Sequence, residues 1–405
     1  MVEPATTATL KVGAERLDAY LPLLQNKRVG LVVNQSALVR NNHISMLPSQ
    51  EADVSSGKYA HLLDVMLSHD IEVNAVMSPE HGFRGDKGAG EIIENGRDVK
   101  TGLPVFSLYG KTKKPTADML ANIDVIVFDI QDVGVRFYTY LSTLHYVIEA
   151  AFQHNIDVIV LDRPNPNGRY IDGPTLESAF SSFVGMHPIP VLHGMTLGEL
   201  AQMIVGEKWA EIPANSTSTL KVIPVSHYDK YQRYSLPVAP SPNLPNDAAI
   251  SLYPTLCFFE GTDISIGRGT AFPFQLIGHP TVPIGEHRLT VTATSAAPAP
   301  KHENATLYAD MLVNTHTREL IKDNESEGLN IDVLVNTYKR FNLMKHEDDI
   351  FFTRPAFFDK LAGTNRLREM MESGASAAQI RDSWQQDLVS FKRKRLVYLL
   401  YPDKR

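Results

Sequence analysis

Asp124-Val125-Ile126-Val127-Phe128-Asp129 sets four apolar residues, three of them β-branched, between two aspartates. A run this short, apolar at every inner position, reads as a strand buried on both faces. It leads into the polar stretch Ile130-Gln131-Asp132-Val133-Gly134-Val135-Arg136-Phe137-Tyr138, and Leu141 to His154 then carries a helical pattern. Asp157-Val158-Ile159-Val160-Leu161-Asp162 repeats the theme and ends in Arg163-Pro164-Asn165-Pro166-Asn167-Gly168. Working upstream, Arg28 to Asn34 and Ile71 to Met77 read as two further strands, with a helix expected from Tyr59 to His69. Strands alternating with helices imply an α/β fold built on a parallel sheet covered on both faces. In such sheets ligands bind outside the carboxyl ends of the strands, and each of these polar clusters lies at such an end.

The second half is less regular. Thr196-Leu197-Gly198-Glu199 has capping-box spacing, so Glu199 reads as a helix cap. Polar residues around Ala214 to Ser218 mark a boundary, dividing a Rossmann-like parallel-sheet domain over 1–212 from a smaller, mixed α+β domain over 213–405 that completes a cleft. Leu220 to Val225 reads as a strand and Ala239 to Pro273 as ordered loops. Ile331 to Phe341, Leu361 to Met371 and Ala377 to Phe391 read as helices, while Leu307 to Thr315 fits either strand or helix.

Composition narrows the class. Of 405 residues, 43% are hydrophobic and 21% charged, which is ordinary for a globular chain long enough for two domains. A net charge of -7 gives no broad attraction to nucleic acid. The basic run Lys392-Arg393-Lys394-Arg395 reads as a solvated helix end. Cys257 is the single cysteine, which excludes an intrachain disulfide and a Cys-based zinc site. No apolar run approaches the ~18 residues of a membrane span. The opening Met-Val-Glu-Pro-Ala-Thr-Thr has no basic and apolar leader pattern.

Chemistry concentrates on Ser78-Pro79-Glu80-His81-Gly82-Phe83-Arg84-Gly85. A carboxyl on a tight turn at a strand end points into a cleft, where desolvation favours a general acid; the alternative is a loop anchor paired with Arg84. Asp129, Gln131, Asp132, Arg136 and Tyr138 form a second polar set, in which Asp132 and Arg136 are spaced for an ion pair. The two prolines after Asp162 suggest a rigid turn presenting Asp162, Arg163 and Asn165. Its calcium-loop register would place Arg163 at the first ligand, which argues against calcium. No His-Glu-x-x-His, Walker, Gly-x-Gly-x-x-Gly or Gly-x-Ser-x-Gly motif occurs, and neither a metal nor another cofactor is expected. Ser241-Pro242-Asn243-Leu244-Pro245 is another rigid turn, and Gly267-Arg268-Gly269 is shaped to hold an anion. Glu260 is either a cleft carboxylate or a loop anchor.

In order along the chain, Gly30-Leu-Val-Val-Asn34-Gln35, the Ser78 to Gly85 segment, Phe128 to Thr139, Leu161-Asp-Arg-Pro-Asn-Pro166, His193-Gly-Met-Thr-Leu-Gly-Glu-Leu200, Ser241 to Pro245 and Glu260 to Thr270 resemble the exo-β-N-acetylmuramidases of the NamZ type. The resemblance covers most of the chain to about Pro280 and is looser beyond. It implies an active-site cleft between the two parts and hydrolysis of the β-1,4 bond after a non-reducing-end N-acetylmuramic acid. It places the catalytic glutamate on Glu80, and Asp132 is the first choice for the second carboxyl that glycoside hydrolysis usually needs, ahead of Asp129, Asp162 and Glu260, with assistance by the substrate's own acetamido group as the alternative. Expected substrate contacts in the first half are Asn34, His81, Arg84, Gln131, Arg136, Tyr138, Asp162, Arg163 and Asn165; Asn243, Glu260 and Arg268 follow in the second. The arginines suit a lactyl carboxylate. Expected partners are peptidoglycan-derived oligosaccharides or muropeptides, in an extracytoplasmic compartment, with the oligomeric state open. The competing readings are a non-catalytic muropeptide- or glycan-binding protein using the same cleft, and a phosphate-ester or nucleotide enzyme.

Overall fold

Short β-branched runs become the strands of one sheet, because only burial on both faces accommodates them. A computed structural model describes residues 9–40, 58–80, 82–83, 95–321 and 328–403. Helix α1 (Leu17–Leu24) precedes β1 (Val29–Val33), β2 (Leu38–Arg40), β3 (Tyr59–His61), α2 (Leu62–Ser68), β4 (Val73–Ser78), β5 (Gly96–Arg97) and β6 (Pro104–Ser107). There follow α3 (Ala117–Leu120), β7 (Val125–Asp129), α4 (Tyr140–Gln153), β8 (Asp157–Leu161), β9 (Asp172–Thr175), β10 (Pro190–Leu192), α5 (Leu197–Gly206) and β11 (Leu220–Ile223). Seven strands pair in the order β11-β8-β7-β1-β4-β6-β5, all parallel except the edge strand β5.

Alternate side chains leave the sheet on opposite sides. Met77, Ile126, Phe128, Val158 and Val160 join Leu144, Ile148 and Leu200 of α4 and α5 in one core. Leu31, Val125, Val127, Ile159 and Leu161 join Tyr20, Leu24, Leu63 and Met66 of α1 and α2 in the other. Each such side chain contributes roughly 1.5–3 kcal/mol by burial. The register of β1 on β4 skips Asn74, since Val29 faces Val73 while Gly30 faces Ala75; this bulge keeps Val73 and Val76 on the same face.

The second half adds α6 (Asp247–Leu256) and a three-stranded antiparallel sheet of β12 (Leu276–His279), β13 (His287–Thr290) and β14 (Thr306–Met311). Helices α7 (Ile331–Met344), α8 (Pro355–Ala362), α9 (Arg366–Glu372), α10 (Ala377–Asp382) and α11 (Gln385–Lys394) complete it. Phe258, Phe274, Phe341 and Phe358 share the α4/α5 core, so one apolar interior runs through both halves. Strand β11 lies beyond residue 212 yet forms the edge of the main sheet against β8. The end of the chain returns to the first half, where Tyr401 donates to Asp162 and the Leu400 amide to Glu199 Oε1 at 2.9 Å. No helix among the described residues is long and apolar enough to cross a membrane.

Several elements differ from expectation. Tyr59–His61 is not helical but pairs antiparallel with β2, and α2 begins at Leu62, where His61 Nδ1 accepts the Leu63 amide at 3.2 Å. The helix expected over Leu361 to Met371 breaks at Gly363, whose φ of 75° ends α8 in the left-handed conformation. The one expected over Ala377 to Phe391 breaks at Trp384, whose indole N–H donates to Asp172 at 3.1 Å. The ambiguous span from Leu307 to Thr315 resolves as strand up to Met311, within β14, the central strand of its sheet. Lys392 to Lys394 form the last turn of α11, where cations favour the helix dipole, while Arg395 is buried on the Gly194 carbonyl and Asp403.

Candidate active site

The carboxyl ends of β7, β1 and β4, three neighbouring strands at the centre of the sheet, carry an uncommon density of unsatisfied polarity. Asn34 Nδ2 and Gln35 Oε1 after β1, Ser78 Oγ at the end of β4, and Gln131 Oε1 and Asp132 Oδ1 after β7 are all buried. Four of them, Gln35 Oε1, Ser78 Oγ, Gln131 Oε1 and Asp132 Oδ1, have no hydrogen-bond partner among the described residues, while the Asn34 amide lies within reach of the Tyr140 hydroxyl. Buried polar atoms are paired almost everywhere in proteins, so four such atoms at adjacent strand ends make this the candidate place for a polar ligand. Glu80 follows β4 at the same edge and is half-buried.

What each residue does with its other atoms explains the shape. Asn34 Oδ1 accepts from the Ser36 amide (2.9 Å) and hydroxyl (2.6 Å), and Ser36 Oγ accepts the Gln131 amide at 2.9 Å, tying the β1 and β7 exits together. Gln131 Nε2 donates to the carbonyls of Asp132 (2.8 Å) and Pro164 (2.7 Å), which aims Oε1 away from them. Asp132 Oδ2 accepts the Gly134 amide at 2.6 Å. Burial pushes the Asp132 carboxyl up to about 7, against the pull of the Gly134 and Val133 amides.

Tyrosines and a loop from the second half form the adjoining wall. Tyr138 donates to the Pro240 carbonyl at 2.9 Å and meets Tyr140 edge-on at 4.9 Å and Tyr253 at 5.7 Å. Tyr140 sits 3.5 Å from both the Pro240 and Glu80 carbonyls. Burial raises both phenols, and the charges of Glu80 and Asp132 each act on both. Gln35 Nε2 holds the Ala239 and Pro240 carbonyls at 3.3 Å. Asn243, buried two residues past Ser241, donates to Ala296 at 2.7 Å and braces this loop. Near Tyr253, Glu260 and Arg268 pair at 2.7 Å, both part-exposed, and Arg268 lies 5.1 Å over the Phe274 ring.

Four expected substrate contacts turn out to be framework. Arg163 is buried in an ion pair with Asp129 (Nη2 to Oδ2 2.8 Å) and also donates to Leu38. Asp162 accepts from Thr196, Gly198 and Tyr401, which uses both oxygens; burial lifts it to about 6. Asn165 accepts the Asn167 amide and donates to Met195, so its amide is spent locking two turns. Arg136 does not pair with Asp132. It is fully buried and donates to the carbonyls of Pro174 (2.7 Å), Ile189 (2.8 Å) and Leu361 (2.8 Å), the last at the end of α8. Burial without a carboxylate partner lowers it to about 9. His81 and Arg84 lie outside the described residues.

Glu199 is the helix cap its spacing predicted, since Thr196 and Glu199 exchange side-chain bonds to each other's amides at 3.2 and 3.0 Å. Gly267 and Gly269 take φ of 82° and 79°, as the turn around Arg268 demands. Sequence reasoning overlooked Gln35, Ser78, Tyr109, Tyr140 and Tyr253. The first three stand at or just beyond strand ends, Tyr140 opens α4 beside a stretch read for other residues, and Tyr253 lay in a span read as loop that is helix α6.

Asp263, His279 and His302 are the one group among the described residues close enough to hold a metal ion. His279 Nδ1 accepts the amides of Val282 (3.0 Å) and Thr281 (3.3 Å), which assigns the ring proton to Nε2, 2.9 Å from Asp263 Oδ2. His302 Nε2 donates to the Asp263 carbonyl at 2.6 Å. Both Nε2 atoms carry protons a metal would displace, so this group is a hydrogen-bonded brace.

A family model described as "Exo-beta-N-acetylmuramidase NamZ, N-terminal" matches residues 29–248, and its C-terminal counterpart matches 251–401. The peptidoglycan beta-N-acetylmuramidase NamZ of Bacillus subtilis (strain 168) is 38% identical over 402 residues, covering 95% of this chain and 89% of that protein. Two crystal structures of DUF1343 family proteins from Bacteroides fragilis NCTC 9343 superpose with TM-scores of 0.82 and 0.76. The first is 39% identical and covers 98% of this chain and 100% of its own; the second is 28% identical and covers 97% and 99%.

Proposed function

The chain belongs to the NamZ exo-β-N-acetylmuramidase family, and from that premise we propose how its strand-end cleft works. It is a glycosidase that releases N-acetylmuramic acid from the non-reducing end of peptidoglycan fragments. Glu80 donates the proton to the departing glycosidic oxygen, and Asp132 is the second carboxyl. The single observation behind this reading is the set of four buried polar atoms without partners among the described residues at the strand ends next to Glu80, which a sugar's hydroxyl and acetamido groups would satisfy. Glu80 and Asp132 follow strands separated only by β1, whose carboxyl ends stand two strand spacings apart, about 10 Å.

Arg268, tethered by Glu260 yet part-exposed, is the described arginine best placed for the lactyl carboxylate, since Arg136 and Arg163 are spent inside the protein. The fragments it takes are oligosaccharides or muropeptides, and an extracytoplasmic location fits a cell-wall substrate. The test uses a chromogenic N-acetylmuramic acid β-glycoside and a β-1,4-linked disaccharide, with free N-acetylmuramic acid as the readout. Wild type releases it, and Glu80→Gln loses at least about 100-fold on the disaccharide, the scale of general acid catalysis. Full turnover by the variant overturns the role of Glu80; binding without cleavage by wild type overturns the reaction.

A further inference from the structure

Pairing of β4 with β6 sets Val76 opposite Val105, Met77 opposite Phe106 and Ser78 opposite Ser107. The Leu108 amide donates to the Ser78 carbonyl at 2.8 Å, which carries the ladder past the last paired residues. Two further steps in the same register bring Tyr109 alongside Glu80. Local chemistry fixes it there. The Tyr109 amide donates to Ser107 Oγ at 3.2 Å, the Ser107 hydroxyl donates back to the Tyr109 carbonyl at 3.3 Å, and Gly110, at φ 78°, turns the chain away. The register and that turn bring the Tyr109 phenol within reach of the Glu80 carboxyl. Burial first, then the neighbouring Glu80 carboxyl, push this phenol up to about 12, so it keeps its proton as a donor for Glu80.

Strand order gives the contact a direction. β6 lies on the far side of β4 from β1 and β7, so Tyr109 approaches Glu80 from the side opposite Asp132 and Asn34. We propose that Tyr109 is the positioning residue of Glu80: its hydroxyl holds one carboxyl oxygen and turns the other, with its proton, toward the cleft. In the transition state the proton passes from Glu80 to the glycosidic oxygen as the bond to the anomeric carbon breaks. Negative charge then grows on Glu80, and a fixed donor stabilises it more as the reaction proceeds. The Tyr109 proton does not transfer. Tyr140, at 3.5 Å from the Glu80 carbonyl, restrains the backbone of the same residue.

This inference rests on Glu80 as proton donor, and two leaving groups separate its failure from failure of that reading. Nitrophenolate departs with little protonation, whereas a sugar alkoxide needs the acid. Tyr109→Phe removes one oxygen and keeps the ring. It is expected to lower kcat on the disaccharide about 10- to 100-fold, with KM within about twofold, and to change turnover of the 4-nitrophenyl glycoside less than about threefold. Both substrates report on one sample, so any reduced folded fraction cancels in the ratio. Equal losses on both substrates, or none on the disaccharide, overturn the role of Tyr109 while the reaction stands. A wild type that cleaves neither substrate overturns the reaction, and the role of Tyr109 falls with it.

Discussion

Asp132 keeps one oxygen on the Gly134 amide and leaves the other without a partner among the described residues, an arrangement that costs stability in a purely structural residue. Its carboxyl is raised by burial from the ordinary range to about 7, so the fold favours the protonated form. That contribution is present in full below the ordinary carboxylate range and is lost as pH rises through about 7. Asp132→Asn is neutral at every pH. Its thermal stability relative to wild type is therefore expected to rise between about pH 5 and about pH 8, while disaccharide cleavage falls about 100-fold. Melting curves and turnover at both pH values check this. Retained activity, or the same stability difference throughout, sinks it. The strand-end positions of Glu80 and Asp132 were legible in the sequence because each follows an apolar run that reads as a central strand. The framework roles of Arg136, Arg163, Asp162 and Asn165 were not, because residue type is blind to direction. Arg136 finds its partner carbonyl at Leu361, 225 positions on, and no local pattern announces that.

Among the elements, the exit from β7 carries the most. Gly134 takes φ 79°, and a Cβ built there would lie 2.0 Å from Asn165 Oδ1. Gly134→Ala thus meets both left-handed strain and a collision with the Asn165 side chain, which ties the β8 exit to Met195. The strain alone costs about 1–2 kcal/mol, and the collision adds to it. A lowered denaturation midpoint is expected, with a larger fractional loss of activity than the unfolded fraction accounts for, since Asp132 hangs on the Gly134 amide. A variant as stable and active as wild type rules this out. Strands were read well here because β-branched apolar runs have few alternatives. Helices were overrun at Gly363 and Trp384, where a left-handed cap and a tertiary hydrogen bond interrupt patterns that stay apolar on one face. The pair β2 and β3 escaped notice because three-residue strands have no period to detect.

Across the whole molecule, the end of the chain closes on the first half around His193. Lys230 and Arg395 both donate to the Gly194 carbonyl at 3.0 Å, and these cations, with Arg136, act on the buried imidazole. Burial first, then those charges, lower His193 to about 3, while Nδ1 accepts the Met195 amide at 3.2 Å. The native state therefore holds a neutral ring that the unfolded chain would protonate. Its contribution is complete above the ordinary histidine range, near 6.5, and is lost as pH falls from there toward about 3. Each such group gives a slope of up to about 1.4 kcal/mol per pH unit. His193→Gln keeps an acceptor for Met195 and has no proton to bind. The stability advantage of wild type over this variant should be largest near neutral pH and shrink steadily toward about pH 4, read from paired denaturation curves across the range. Parallel curves would show that protons do not reach His193 on unfolding. A narrowing gap ties acid opening of the molecule to the place where its last residues meet its first half.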